Sequence, residues 1–165
     1  LPIAPGGVLV FDREANGDVA PKRVLSGPDT GIRGINHLAI DPVHNALIVK
    51  GGGGLLIFDR TASGNAKPRA IIKGAKTGAI GRGQFQVYPA KGWIIAPARD
   101  SSGECIGVWS ITDNGDVAPR WKIPIQKILG AGQTTGIAFD PQHQEIFLAN
   151  GPLNRVMTFY FPEMF

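Results

Sequence analysis

The sequence predicts an all-β chain of four-stranded antiparallel sheets, and three observations predict it. Gly and Pro supply 23 and 13 of the 165 residues, a content that disfavours long helices. The apolar runs are short, rich in β-branched and aromatic residues, and bounded by Gly, Pro, Asn and Asp, the pattern of strands joined by tight turns. The same phrase then returns along the chain at intervals of about fifty residues, so one supersecondary unit is being repeated.

The phrase begins as Val8-Leu9-Val10-Phe11-Asp12-Arg13 and closes as Gly17-Asp18-Val19-Ala20-Pro21-Lys22. It returns as Leu55-Leu56-Ile57-Phe58-Asp59-Arg60 with Gly64-Asn65-Ala66-Lys67-Pro68-Arg69, and as Ile106-Gly107-Val108-Trp109-Ser110-Ile111 with Gly115-Asp116-Val117-Ala118-Pro119-Arg120. The aromatic anchors Phe11, Phe58 and Trp109 stand 47 and 51 residues apart, and Phe159 opens a fourth copy 50 residues further on. Between the anchors runs a second block: Leu38-Ala39-Ile40-Asp41-Pro42, Phe85-Gln86-Val87-Tyr88-Pro89 and Ile137-Ala138-Phe139-Asp140-Pro141. Each is followed by another apolar run, namely Ala46 to Val49, Trp93 to Ala96 and Glu145 to Ala149.

Each period therefore reads as four strands: a (the Asp-Pro block), b (the run after it), c (the aromatic anchor) and d (after the Pro at 21, 68 or 119). Gly17, Gly64 and Gly115 share one register in the c–d turn, where positive φ is needed. Pro at the approach to strand d is tolerated because a strand start or sheet edge can lack an N–H. Four short antiparallel strands recurring at this period indicate β-propeller blades. Residues 8–25 supply c and d, 37–72 and 84–123 each supply a full blade, and 136–160 supply a, b and c, all within one domain, 1–165. That is a little over three blades, whereas a ring closes with about four to eight. The expectation is closure from outside, by a second copy in a homodimer or by the remaining blades of a longer protein. In the homodimer, Arg23-Val24-Leu25 of one chain would complete the a-b-c blade of the other by strand exchange.

The phrase Phe-Asp-Arg-x-Ala-x-Gly-Asn-x-x-Pro-Arg over residues 58–69, followed by Gly74 to Gly78 and an Asp-Pro strand, resembles bacterial NHL-like propellers, often six-bladed, over nearly the whole chain. The resemblance implies a fold and leaves the activity open, since related propellers serve as binding scaffolds, lactonases and lyases.

Composition narrows the function classes. A net charge of +4 is spread without a Lys/Arg block or base-stacking aromatics, which points away from nucleic acid. No apolar run approaches the roughly 20 residues that span a bilayer. Cys105 is the single cysteine, which excludes an internal disulfide and a cysteine zinc cluster. A first residue Leu1 in place of Met implies removal of an upstream segment, and the expected location is secreted or periplasmic.

In a propeller the d–a and b–c loops open on one end of a central channel, and ligands enter there. This places Arg33, Asn36 and His37 before the first strand a, Arg82 and Gln84 before the second, and Gln133, Thr134 and Thr135 before the third. The b–c loops add Lys50, Arg99, Asp100, Glu104, Asn150, Asn154 and Arg155, a polar and mildly cationic ring suited to an anionic or polyhydroxyl ligand. Asp100 and Glu104 are the candidate carboxylates for acid–base work, and Asp100 with Asn150 are the counterparts of the metal ligands that a lactonase resemblance implies. His44 and His143 share an a–b turn after Asp-Pro at the opposite end. The expected function is a non-catalytic binding or assembly module without cofactor, and the alternative is a metal-assisted lactonase-type hydrolase or lyase at the channel mouth.

Overall fold

The computed structural model describes residues 6–81, 83–130 and 134–165. The chain is all-β, with its strands grouped into four antiparallel sheets that stand in series as propeller-type blades. Blade 1 holds β1 (Gly7–Val10) and β2 (Arg23–Ser26). Blade 2 runs β3 (His37–Asp41), β4 (Ala46–Gly51), β5 (Gly54–Asp59) and β6 (Ala70–Ile72). Blade 3 holds β7 (Ala79–Ile80), β8 (Gln86–Tyr88), β9 (Trp93–Asp100), β10 (Gly103–Ser110) and β11 (Trp121–Ile123). After the short helix α1 (Ile125–Leu129), blade 4 holds β12 (Thr134–Asp140), β13 (Glu145–Asn150) and β14 (Arg155–Tyr160). Among the described residues no helix is long and apolar enough to cross a membrane.

Two elements depart from the four-strand reading. The β9–β10 hairpin has eight-residue strands where β4–β5 has six, and the surplus carries Ala98 and Arg99 beyond the reach of β8. The two residues of β7 pair with that surplus, giving blade 3 a fifth strand. Helix α1 follows Pro124 and anchors Ile125 in the core, 1% exposed.

Strand alternation sends successive side chains to opposite faces, and each inner blade uses both. In β4 and β5, Leu47, Val49, Leu56 and Phe58 meet Val8 and Leu25 of blade 1. Ala46, Ile48, Leu55 and Ile57 turn the other way, toward Phe85, Ile94 and Trp109 of blade 3. Ile95, Ile106 and Val108 of blade 3 then meet Ile137, Ile146 and Leu148 of blade 4. Each of the three later anchor aromatics faces the blade before its own: Phe58 packs on blade 1, Trp109 on blade 2 and Phe159 on blade 3. Each fully buried side chain of this size contributes about 1.5–3 kcal/mol, so three inter-blade cores hold the series together.

The seams between blades are tied by backbone as well. At the first seam the c–d turn of blade 2 clasps the outer edge of β2: Gly64 N–H donates to Val24 O (2.7 Å), Ser26 N–H donates to Gly64 O (2.9 Å), and Asn65 Oδ1 accepts from Asp29 N–H (2.8 Å). The second seam repeats this on β6. Gly115 N–H donates to Ile71 O (2.7 Å), Lys73 N–H donates to Gly115 O (3.1 Å), and Asp116 Oδ1 accepts from the N–H groups of Lys76 (2.7 Å) and Thr77 (3.0 Å). Gly27 and Gly74 lie directly under the Asx side chain, and a Cβ at either would collide with Asn65 or Asp116.

Among the described residues the third seam has no such clasp. Where Ser26-Gly27 and Lys73-Gly74 stand, blade 3 carries Pro124-Ile125, which lacks the N–H and fills the space. The segment after β14 opens like the others, with Phe161 N–H donating to Gln144 O (2.8 Å) as Arg60 N–H does to Asn45 O (3.0 Å). It then becomes a 3₁₀ turn, Pro162–Met164, that buries Met164 and puts Phe161 edge-on to Trp121 and Phe165 against Tyr88. The indole N–H of Trp93 donates to Met164 O (3.0 Å).

Candidate functional site

The end of β4, its partner the start of β3, and the start of β12 approach one another through the loop before β8. Lys50 is the centre of this region. It is the last polar residue of a buried strand, 3% exposed, and its ammonium donates to the carbonyls of Gly81 (2.8 Å) and Gly83. A buried ammonium is costly unless its donors are used, and burial accordingly holds the Lys50 amine below the usual lysine range. Gly83 in turn abuts the carbonyl of Thr134, and Gln84 N–H donates to Thr135 O (3.2 Å), so the cation of blade 2 is linked through the blade 3 loop to blade 4.

His37 is the cross-strand partner of Lys50 in the β3–β4 register, half-buried, with its ring edge-on to Phe85 at 4.7 Å. Burial first, and the Lys50 charge second, push its pKa below the ordinary 6.5. Its Nδ1 is buried without a partner among the described residues. Asn150, the cross-strand partner of Thr134, is 1% exposed; its Oδ1 accepts from Leu153 N–H (2.9 Å), while its Nδ2 is buried and unpartnered among the described residues. Lys50 and His37 of blade 2 and Asn150 of blade 4 thus carry buried side-chain nitrogens at the b–c ends of their strands.

The side chains of Arg33, Asn36, Gln84 and Asp100 do not join this cluster. Arg33 and Asn36 are exposed, and each contributes its backbone rather than its side chain: Gly52 N–H donates to Arg33 O (2.8 Å) and Asn36 N–H to Lys50 O (3.5 Å). Gln84 is exposed. Arg82 and Gln133 lie outside the described residues. Asp100 and Glu104 do not form a carboxylate pair, because each has its own cation: Asp100 holds Lys122 (2.5 Å) and Glu104 holds Arg99 (3.3 Å). The hydrogen bond from Lys122, with those from Ser102, brings the Asp100 carboxyl down to about 2.

The lactonase resemblance asks for a metal, and the donor set does not fit one. Asp100 uses Oδ2 for Lys122 and Oδ1 for Ser102, and Asn150 uses Oδ1 for a backbone N–H. Among the described residues no three His, Cys, Asp or Glu side chains gather as a metal site would need. Cys105 is buried and its thiol is pushed up to about 11, first by desolvation, which disfavours the thiolate that a nucleophile would need. At the opposite end Asp41 and Asp140 cap their own turns and hold His44 (2.7 Å) and His143 (2.6 Å).

Sequence reading named Lys50 among many loop residues and missed that it is the buried centre. The signal was its register: Lys50-Gly51 aligns with Asn150-Gly151, two polar residues that end otherwise apolar strands. Comparison with models of known families and with curated proteins gives no match.

Proposed function

We propose that this chain is a non-catalytic propeller scaffold that works by association: further blades cover its two open faces, and the donor-lined channel mouth is presented to a partner. The observation that carries this reading is the contrast in exposure between inner and outer blades. Residues of β4 and β5 that face a neighbour are buried, while Val156 and Tyr160 on the free face of β14 are 73% and 69% exposed. An unpaired strand edge beside an apolar face is a surface that folded proteins keep covered. The likeness to NHL-like propellers supports the same reading, since that fold is a ring. Both sources of blades, a second copy and another polypeptide, satisfy it.

Light scattering with a hydrophobic dye tests the proposal. The purified chain should either exceed its 17.5 kDa mass or bind dye as a monomer, and Val156→Glu with Tyr160→Glu should remove the share that belongs to the β14 face, leaving the share of the blade 1 face and the melting temperature in place. A folded 17.5 kDa monomer that binds no dye would refute it.

A further inference from the structure

The c–d turn of blade 1, Asn16-Gly17-Asp18, has the register of the two turns that clasp β2 and β6, yet among the described residues it clasps no strand. Gly17 keeps the same left-handed backbone, φ 75° against 62° at Gly64 and 84° at Gly115, and among the described residues no heavy atom lies within 4 Å of where its Cβ would be. Among the described residues, the side chains of Asn16 and Asp18 have no hydrogen-bond partner, whereas Asn114, Asn65 and Asp116 accept from Ile71, Asp29, Lys76 and Thr77. The same side of blade 1 carries Leu9 and the anchor Phe11, 38% and 47% exposed, although the anchors at 58 and 109 are fully buried against the preceding blade. Turn and anchor are two independent observations, and both address a blade that would precede blade 1.

The clasp specifies what it takes. At both occupied seams the clasped strand offers a carbonyl, two residues on a free N–H, and immediately after that a glycine under the Asx side chain: Val24, Ser26 and Gly27, and Ile71, Lys73 and Gly74. None of the three d strands of this chain can serve in a second copy. β2 and β6 are each engaged on one edge by their own sheet and on the other by Gly64 or Gly115. β11 leads into Pro124-Ile125, without the N–H and without the glycine, and lies beside Phe161.

Resting on the reading of the chain as an associating scaffold, we propose that Asn16-Gly17-Asp18, with Leu9 and Phe11, is a docking clasp for the outer strand of a blade from elsewhere than this chain's own strands, one that ends in a free N–H followed by glycine. Ring closure by exchange with an identical copy is then excluded at this end, and self-association, where it occurs, belongs to the β14 face.

Two synthetic peptides test this against the ¹⁵N-labelled full chain: one with the sequence of residues 68–75, which ends Lys73-Gly74-Ala75, and one with that of 119–126, which carries Pro124-Ile125. The first should shift the amides of Gly17 and Asp18 and the second should not. Asp18→Ala should weaken the first by about tenfold or more, the loss expected for hydrogen bonds to a charged acceptor. Equal binding of both peptides at the turn, binding elsewhere, or no binding would overturn the proposal. So would a dimer in light scattering that Asp18→Ala dissolves. The scaffold reading is judged separately, because its dye and mass test acts on β14 and does not involve Asp18.

Discussion

The seam between blades 2 and 3 and the seam between blades 3 and 4 solve one problem with different chemistry. Both must hold a d strand against its successor. At the first, Gly115 and Asp116 reach over β6 and make backbone hydrogen bonds that require a glycine beneath them. At the second, Pro124 and Ile125 remove both requirements, and Phe161, Met164 and Phe165 cover the place with apolar contact. The clasp registers the blades by backbone hydrogen bonds; the plug rests on apolar burial with one indole hydrogen bond, from Trp93 to Met164 O. A repeat that keeps its strands can therefore change its joints.

The largest expected effect comes from the anchors, where the two seams can be compared directly. Trp109→Ala should cost about 3–5 kcal/mol in urea denaturation, because it empties the core on which the clasped seam rests. Met164→Ala at the plugged seam should cost about 2–5 kcal/mol and should loosen the last residues before the rest of the chain, seen as early loss of Trp93 fluorescence change. Equal, fully cooperative loss in both variants would erase the distinction between seams.

Removing one clasp side chain should act more gently. Asp116→Ala strands the N–H groups of Lys76 and Thr77 and should cost about 1 kcal/mol, with hydrogen exchange rising at those two amides and not at blade 4. Asp18→Ala, at the same register but clasping nothing, should leave stability within about 0.5 kcal/mol of the parent. A cost similar to that of Asp116→Ala would mean that the blade 1 turn is already engaged.

The smallest effect concerns pH. Because the folded chain resists protonating His37, the unfolded chain takes the proton first; the stability is complete above pH 6.5 and is lost as pH falls from there. His143 runs oppositely: Asp140 raises its pKa, so its contribution is present below 6.5 and fades as pH rises through the folded value. Urea midpoints between pH 5 and 8 for His37→Gln and His143→Ala should separate the two, the first flattening the acid side and the second the neutral side.

Much of the fold was legible because the repeat writes each blade in the same words. Phe11, Phe58, Trp109 and Phe159 mark strand c, and the Pro at 21, 68 and 119 marks the approach to strand d. The added strand β7 was not legible, since two residues carry no periodicity and pair only because β9 is long. The partners of the candidate residues were not legible. Asp100 and Glu104 look alike in sequence, and it is the partners Lys122 and Arg99, brought from another strand and from across the hairpin, that neutralise them.

By itself the sequence determined which residues form strands, where each turn falls and that the strands come in blade-sized groups, because periodicity and turn chemistry are local. Only the tertiary structure decided that Lys50 is buried on the carbonyls of Gly81 and Gly83, that two seams are clasped and one is plugged, and that Gly17 faces open space. The reason is that burial and hydrogen-bond partnership are properties of residues distant in the chain, and the same Gly-Asx turn reads identically whether or not a strand lies beneath it.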